Sequence, residues 1–135
     1  MKDGKSLCPC CSGKAYNECC KLFHDGVPVK NALTLMRSRY CAYALNKADN
    51  IIATTHPANP GYEENKTTWK LSISKFSKKY SFDGLEILDF QEKEGEGVVT
   101  FCAHLSYNNA DASFKEKSYF EKKEGKWLYL YGERV

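Results

Sequence analysis

The sequence has 135 residues, of which 42% are hydrophobic, and its formal net charge is +3. This length suits one hydrophobic core with a small appendage and is too short for two full-sized domains. The chain lacks the roughly 18 consecutive apolar residues that a membrane helix requires, and its polar first residues do not resemble a secretory leader. We therefore expect a cytoplasmic protein that does not enter a membrane.

Five of the seven cysteines fall within residues 8–20, in a segment without helical or strand periodicity. A hydrophobic core cannot order such a segment, so a metal is the available cross-link. Tetrahedral zinc takes four nitrogen or sulfur donors, which suits two close cysteine pairs separated by a turn. Four thiolates on one Zn²⁺ would lower the net charge to about +1, which disfavours a nucleic-acid partner.

The pattern Cys-Pro-Cys-x-Ser-Gly-Lys-x-Tyr-x-x-Cys-Cys resembles the SEC-C motif, the short zinc-binding segment at the C-terminus of the bacterial SecA translocase. The resemblance implies one structural zinc per chain and these ligands: Cys8, Cys10, Cys19 and Cys20. Cys11 replaces the usual glycine of the motif, so Cys11 and the nearby His24 are open as competing ligands. Because four cysteines leave no free coordination position, we expect this zinc to order the segment without performing chemistry.

Three helices are predicted after the cysteine-rich segment. The first has Asn31 as its N-cap and ends near residue 46. A short second helix is capped by Asp49 and ends before Pro57, because a proline excludes the preceding residue from the helical region. The third begins at Thr67 or Thr68 and carries apolar residues at helical spacing: Trp69, Ile73, Phe76 and Tyr80.

Four strands joined by short turns are predicted in the remainder of the chain. They span residues 85–92, 98–107, 113–122 and 127–131. An antiparallel meander that follows helices indicates an α+β domain with the helices on one face of the sheet. We therefore divide the chain into a zinc-binding segment at residues 1–27 and an α+β domain at residues 28–135.

Residues 35–40, 55–57 and 127–129 resemble corresponding segments of the YchJ family of uncharacterised bacterial proteins. The resemblance implies a nuclear transport factor 2-like, or cystatin-like, domain of about three helices packed on a curved four-stranded antiparallel sheet. That family implies no particular reaction. The wider fold group includes isomerases, epoxide hydrolases and non-catalytic dimerisation domains, all of which use or fill the cone between helices and sheet, so the fold leaves the chemistry open.

The cone has several candidate lining residues. His56, at a helix end before a proline, is the candidate catalytic acid or base. The other pocket candidates are Tyr40, Trp69, Cys102, His104 and Tyr119. Ordinary packing explains the spacing of these residues as well, and His56 could simply cap its helix. Cys41 and Cys102 lack a basic sequence neighbour that would mark an activated thiol.

Two functions follow from these patterns. The favoured one is a non-catalytic zinc-bearing module that binds a protein or a ligand, with a homodimer also open. By analogy with SecA, whose SEC-C segment contacts the chaperone SecB, the zinc segment would bind a chaperone or translation-associated partner. The alternative is a small hydrolase or isomerase that acts in the cone through His56.

Overall fold

The computed structural model describes residues 6–135, which contain a cysteine-rich N-terminal segment, three further helices and an antiparallel sheet. The helices of this part of the chain are α1 (Cys20–His24), α2 (Ala32–Ala44), α3 (Ala48–Ala53) and α4 (Lys66–Lys79). A single 3₁₀ turn, Tyr16–Glu18, precedes α1. Across residues 6–135, every helix is too short or too polar to cross a bilayer.

Side-chain caps start two of the helices. The Asn31 side chain accepts a hydrogen bond from the backbone N–H of Thr34 at 2.8 Å, which confirms Asn31 as the cap of α2. Asn65 does the same for Thr68 at 3.0 Å, so α4 starts before the predicted Thr67 or Thr68 cap.

The predicted Asp49 cap of α3 is wrong. Lys47 occupies the N-cap position and Asp49 lies in the first helical turn. There the Asp49 carboxylate is exposed and pairs with Lys70 of α4, with 3.1 Å between Nζ and Oδ1. A carboxylate in the first turn interacts favourably with the positive end of the helix dipole, so Asp49 stabilises α3 without capping it.

The sheet has the order β1-β2-β4-β5, and all its neighbouring strands are antiparallel. Its strands are β1 (Ser81–Lys93), β2 (Glu96–Tyr107), β3 (Ala110–Asp111), β4 (Phe114–Lys123) and β5 (Lys126–Arg134), of which β3 pairs only with the end of β2. Register shifts interrupt β1 twice and the β4–β5 pair once. Such irregularities bend strands and increase their twist, which curves the sheet around the helices.

The main core lies between α2 and the concave face of the sheet. Leu35 and Met36 of α2 are buried against residues of β2 such as Val99 and Phe101. The predicted alternation along β2 is confirmed, because Phe101, Ala103 and Leu105 belong to this core whereas His104 is exposed on the other face. A smaller cluster joins α2, α3 and α4 through Ala42, Ala48, Ile51, Trp69 and Ile73. The structure is therefore the expected α+β fold, with the cysteine-rich segment packed against the side of α2.

Candidate metal centre and cone cavity

The four cysteines of the motif converge at one point. The Sγ atoms of Cys8, Cys10, Cys19 and Cys20 all lie within 4.8 Å of one another. The first pair is held by a tight turn, which the backbone N–H of Cys11 closes by donating to the carbonyl of Cys8 at 3.1 Å. The second pair lies at the junction of the 3₁₀ turn and α1, so adjacent residues of different backbone conformation both reach the centre.

This donor set fits zinc. A tetrahedron of sulfurs with Zn–S bonds of about 2.3 Å has edges of about 3.8 Å, and the Cys10 and Cys19 sulfurs are 3.6 Å apart. Ser12 places its hydroxyl oxygen 3.1 Å from the Cys19 sulfur. Cys8, Cys10 and Cys20 are buried, which excludes water from three of the four ligand positions.

The buried thiols Cys8 and Cys20 differ in their ionisation. Hydrogen bonds from Cys10, then Cys20 and Cys41, lower the pKa of Cys8. Hydrogen bonds to Cys10, Cys41 and Cys8 raise the pKa of Cys20. Cys8 therefore forms a thiolate more readily than Cys20, and a divalent cation would stabilise all four ligands as thiolates.

The two competing ligands lie outside the cluster. Cys11 is exposed, and its sulfur contacts the carbonyl of Pro9 at 3.6 Å. Its φ of 66° explains why the motif usually has glycine there, since the left-handed region is strained for most side chains. His24 uses both ring nitrogens elsewhere: Nε2 donates to the Ser38 carbonyl at 2.9 Å, and Nδ1 accepts from the Tyr16 hydroxyl at 2.8 Å.

Helix α2 forms one wall of the metal centre. Arg37 donates from Nη1 to the carbonyl oxygen of Cys10 at 2.8 Å. Cys41 is fully buried, and its sulfur lies 3.7 Å from that of Cys8. Sequence reasoning missed this role of Cys41, because the residue lies far from the motif within a helix. A small polar residue on a buried helix face is the one signal that could have indicated it.

A second feature is a cavity of about 140 Å³ inside the cone, between α2 and the concave sheet. Apolar groups form most of its lining: Met36, Phe76, Phe82, Phe101, Ala103, Leu105, Phe114 and Phe120. Its ionisable lining residues are Arg39, Tyr40, Tyr43, Glu116 and Tyr129. An apolar cavity of similar volume can hold benzene, so there is room for a small ligand.

Tyr40 is the one pocket candidate from the sequence that lines this cavity, and its hydroxyl donates to the carbonyl of Gly84 at 2.8 Å. His56 is buried outside the cavity lining. Its Nε2 lies 2.7 Å from Oε1 of Glu121, and its Nδ1 accepts from the backbone N–H of Ala58 at 2.9 Å. Both ring nitrogens of His56 are therefore engaged in local contacts.

The remaining pocket candidates also lie away from the cavity. Trp69 packs in the smaller cluster that joins α2, α3 and α4, and its ring centroid is 5.0 Å from that of Tyr62. The ring of Tyr119 stacks on that of Tyr131, with 4.5 Å between the ring centroids, and Tyr119 does not line the cavity. Helical or alternating spacing identified these residues as packed but could not indicate against which neighbour.

Cys102 and His104 meet on the outer face of the sheet. His104 Nε2 lies 3.5 Å from Oε1 of Glu86, and its Nδ1 lies 4.0 Å from the sulfur of Cys102. The sequence-based expectation that Cys102 has no basic neighbour is therefore corrected. The ligand atoms of these three residues lie within 4.8 Å of one another, so the group is a useful comparison for any metal analysis of the cysteine cluster.

Comparison with known proteins decides the family. A family model described as the middle, NTF2-like domain of YchJ matches residues 31–132. The chain belongs to the YchJ family. A UPF0225 protein of Shewanella sp. strain MR-4 is 34% identical over 135 residues, which cover 95% of this chain and 80% of the relative.

Solved structures extend the likeness of this YchJ family member to the cysteine-rich segment. A SEC-C motif containing protein from Rhodopseudomonas palustris is 34% identical, with a TM-score of 0.81, and the match covers 95% of this chain and 98% of that one. Another, from Psychrobacter arcticus, is 25% identical with a TM-score of 0.81 and coverage of 96% and 83%. The predicted combination of a SEC-C motif with an NTF2-like domain is thus confirmed.

Proposed function

We propose that this YchJ family member is a non-catalytic binding module, in which a structural Zn²⁺ fixes the N-terminal segment on the NTF2-like domain. The zinc ligands are the four cysteines of the motif, and the binding site is the cone cavity. The observation that carries the proposal is the convergence of four sulfurs against a wall supplied by α2.

The donor set supports a structural role for the metal. Four thiolate ligands complete a tetrahedral zinc site and leave no position for water or substrate. Within residues 6–135, the histidine near the centre is His24, and it is not free to act as a general base because both its ring nitrogens make hydrogen bonds. Zinc affinity in comparable peptides, about 10–16 kcal/mol near neutral pH, is ample to order a segment that lacks a core of its own.

The cavity supports binding in preference to catalysis. His56, the residue on which the enzymatic alternative depends, is not part of the lining. Glu116 faces the cavity, but its Oε2 already accepts hydrogen bonds from Ser118 at 2.5 Å and from Tyr129 at 3.2 Å. The rest of the lining is mostly apolar, which suits the retention of a ligand more than proton transfer.

Selective removal of the metal tests the structural role. Two-dimensional NMR spectra of the full chain are compared before and after chelation, for wild type, Cys8→Ser and the matched control Cys11→Ser. We expect the signals of residues 8–24 to lose dispersion on chelation while those of the sheet persist, because β2, β4 and β5 contact the core independently of the metal. Cys8→Ser should resemble the chelated state, and Cys11→Ser should behave as wild type. Spectra that are unaffected by chelation would refute the proposal.

A further inference from the structure

Arg39 is a buried cation without a carboxylate partner. The residue lies on α2 with 7% of its surface exposed, and it lines the cone cavity. Its Nη1 donates to three neutral oxygens, the Ile51 carbonyl and the hydroxyls of Thr54 and Thr55. No ion pair joins Arg39 to any carboxylate of residues 6–135. Burial lowers the pKa of Arg39, but a guanidinium in a protein keeps its proton.

Two nitrogens of this guanidinium are free to take a ligand. Within residues 6–135, Nε and Nη2 of Arg39 make no hydrogen bond. Arg39 lines the cavity, so a ligand held there can reach these two nitrogens.

The surroundings compensate this charge only in part. The Arg39 guanidinium carbon lies 4.5 Å from the ring centroid of Tyr129, which gives a favourable cation–π contact. Glu116 lies near enough for its charge to oppose the loss of the Arg39 proton, but it does not form an ion pair with the guanidinium. Its Oε1 instead lies 3.8 Å from Nε of Arg134. A buried charge without a direct partner is costly, and an incoming anion would remove that cost.

We propose that the cone cavity binds a small organic carboxylate, whose apolar body fills the cavity and whose carboxylate pairs with Nε and Nη2 of Arg39. This inference rests on the proposed binding function and names the ligand class of the same site. The Nε and Nη2 edge of a guanidinium presents two parallel N–H groups that match the two oxygens of a carboxylate. The volume of about 140 Å³ sets the size of the ligand near that of one aromatic ring.

The charge of Glu116 limits the ligand to one negative charge. Its carboxylate lines the same cavity and is fixed there by Ser118 and Tyr129. Glu116 repels a monoanion weakly and a dianion such as phosphate twice as strongly. Phosphate also lacks an apolar body that the cavity could bury. Removal of the Glu116 charge should therefore strengthen carboxylate binding.

The test uses two probes, benzoate and benzamide, which have nearly the same shape but differ in charge. Each is titrated into the full, zinc-loaded chain and followed by calorimetry and NMR. We expect benzoate to bind about tenfold more tightly than benzamide, and Glu116→Gln to tighten benzoate alone by about threefold. Arg39→Met should abolish the preference for benzoate. His56→Asn, which changes a buried polar residue outside the lining, should leave both affinities unchanged.

Equal affinities for the two probes in wild type would overturn the inference, as would a preference that survives in Arg39→Met. Displacement of benzoate by inorganic phosphate at equal concentration would also overturn the carboxylate assignment. If Arg39→Met does not fold, Arg39→Lys takes its place in the test. Lysine keeps the charge without the paired N–H groups, so an undiminished preference of Arg39→Lys for benzoate over benzamide would contradict the proposal. Zinc-loaded, folded protein that binds neither probe would refute both the inference and the ligand-binding part of the proposed function, while equal binding refutes the inference alone.

Discussion

The sulfur of Cys41, in the last turn of α2, lies 3.7 Å from the sulfur of Cys8 in the cysteine-rich segment. Because Cys41 is fully buried, this contact seals the metal centre on the side that faces the NTF2-like domain. A thiol at this position can donate a weak hydrogen bond to a metal-bound thiolate. The segment is therefore an integral part of the folded domain, and α2 links the metal centre to the cone cavity through Cys41 and Arg39.

The effect of replacing Cys41 on zinc affinity should depend on whether the new side chain can donate a hydrogen bond to Cys8. Cys41→Ser keeps a hydrogen-bond donor beside Cys8 and should change zinc affinity little. Cys41→Val fills the space without a donor, and we expect it to lower zinc affinity by about tenfold, as for other partners of metal ligands. Competition with a chromogenic chelator measures both, with Cys102→Ser as the control on the far face of the sheet. Equal zinc affinities for the Ser and Val variants would contradict a donor role.

His24 makes the attachment of the segment sensitive to acid. Burial lowers the pKa of His24 below its ordinary value, so the folded chain holds the neutral ring. As the pH falls below about 6.5, the unfolded chain takes up this proton more readily than the folded chain. The contribution of His24 to the free energy of unfolding is therefore fully present above that pH. It is lost progressively as the pH falls from about 6.5 to the lower pKa of His24 in the folded chain.

Urea unfolding of wild type and His24→Gln at pH 7.5 and pH 5.5 checks this dependence. Glutamine can retain the hydrogen bond to the Ser38 carbonyl but does not titrate. Wild type should lose more stability than the variant between the two pH values. Parallel losses in the two proteins would show that His24 carries no share of the acid sensitivity.

Gly97 leaves space for the start of α2 against the sheet. A Cβ atom added there would overlap with the Cβ of Ala32, and both residues are buried. We expect Gly97→Ala to lower the free energy of unfolding by about 1–3 kcal/mol through overpacking. Gly84→Ala is the matched control, because the nearest atoms to its added Cβ belong to His104 at 3.8 Å. Equal stabilities of the two variants in denaturant unfolding would be inconsistent with this packing.

His56 should contribute to stability without contributing to ligand binding. In His56→Ala the backbone N–H of Ala58 and the carboxylate of Glu121 both lose their partner. We expect a loss of about 2 kcal/mol in the free energy of unfolding. His56→Asn, whose side-chain oxygen can replace Nδ1 as the acceptor for Ala58, should lose about half as much. A lower affinity for benzoate in folded His56→Asn would instead assign His56 a role in the cone.

The sequence was most informative where the determining interactions are local. The cysteine spacing predicted the convergence of four cysteines, the Asn31 cap predicted the start of α2, and alternation along β2 separated its two faces. Each of these patterns reflects contacts between residues close in the chain or a backbone period, which one sequence displays directly.

The cavity depends on contacts between distant residues, and here the prediction was less complete. Alternation placed Cys102 and His104 on one face of β2 but could not tell the concave face from the outer one, where they lie. Arg37 and Arg39 look alike in sequence, yet Arg37 donates to the cysteine-rich segment at the Cys10 carbonyl and Arg39 lines the cavity. That difference arises from the elements that pack on either side of α2.

Elemental analysis of the chain, purified under reducing conditions without added metal, tests the central claim most directly. We expect one zinc per chain in wild type, in Cys11→Ser and in His104→Ala, since neither substitution changes the four converging sulfurs. Cys8→Ser and Cys19→Ser should each lose the zinc. Absence of zinc from reduced wild type, or one full equivalent in either of these two variants, would contradict a structural zinc site formed by the four cysteines.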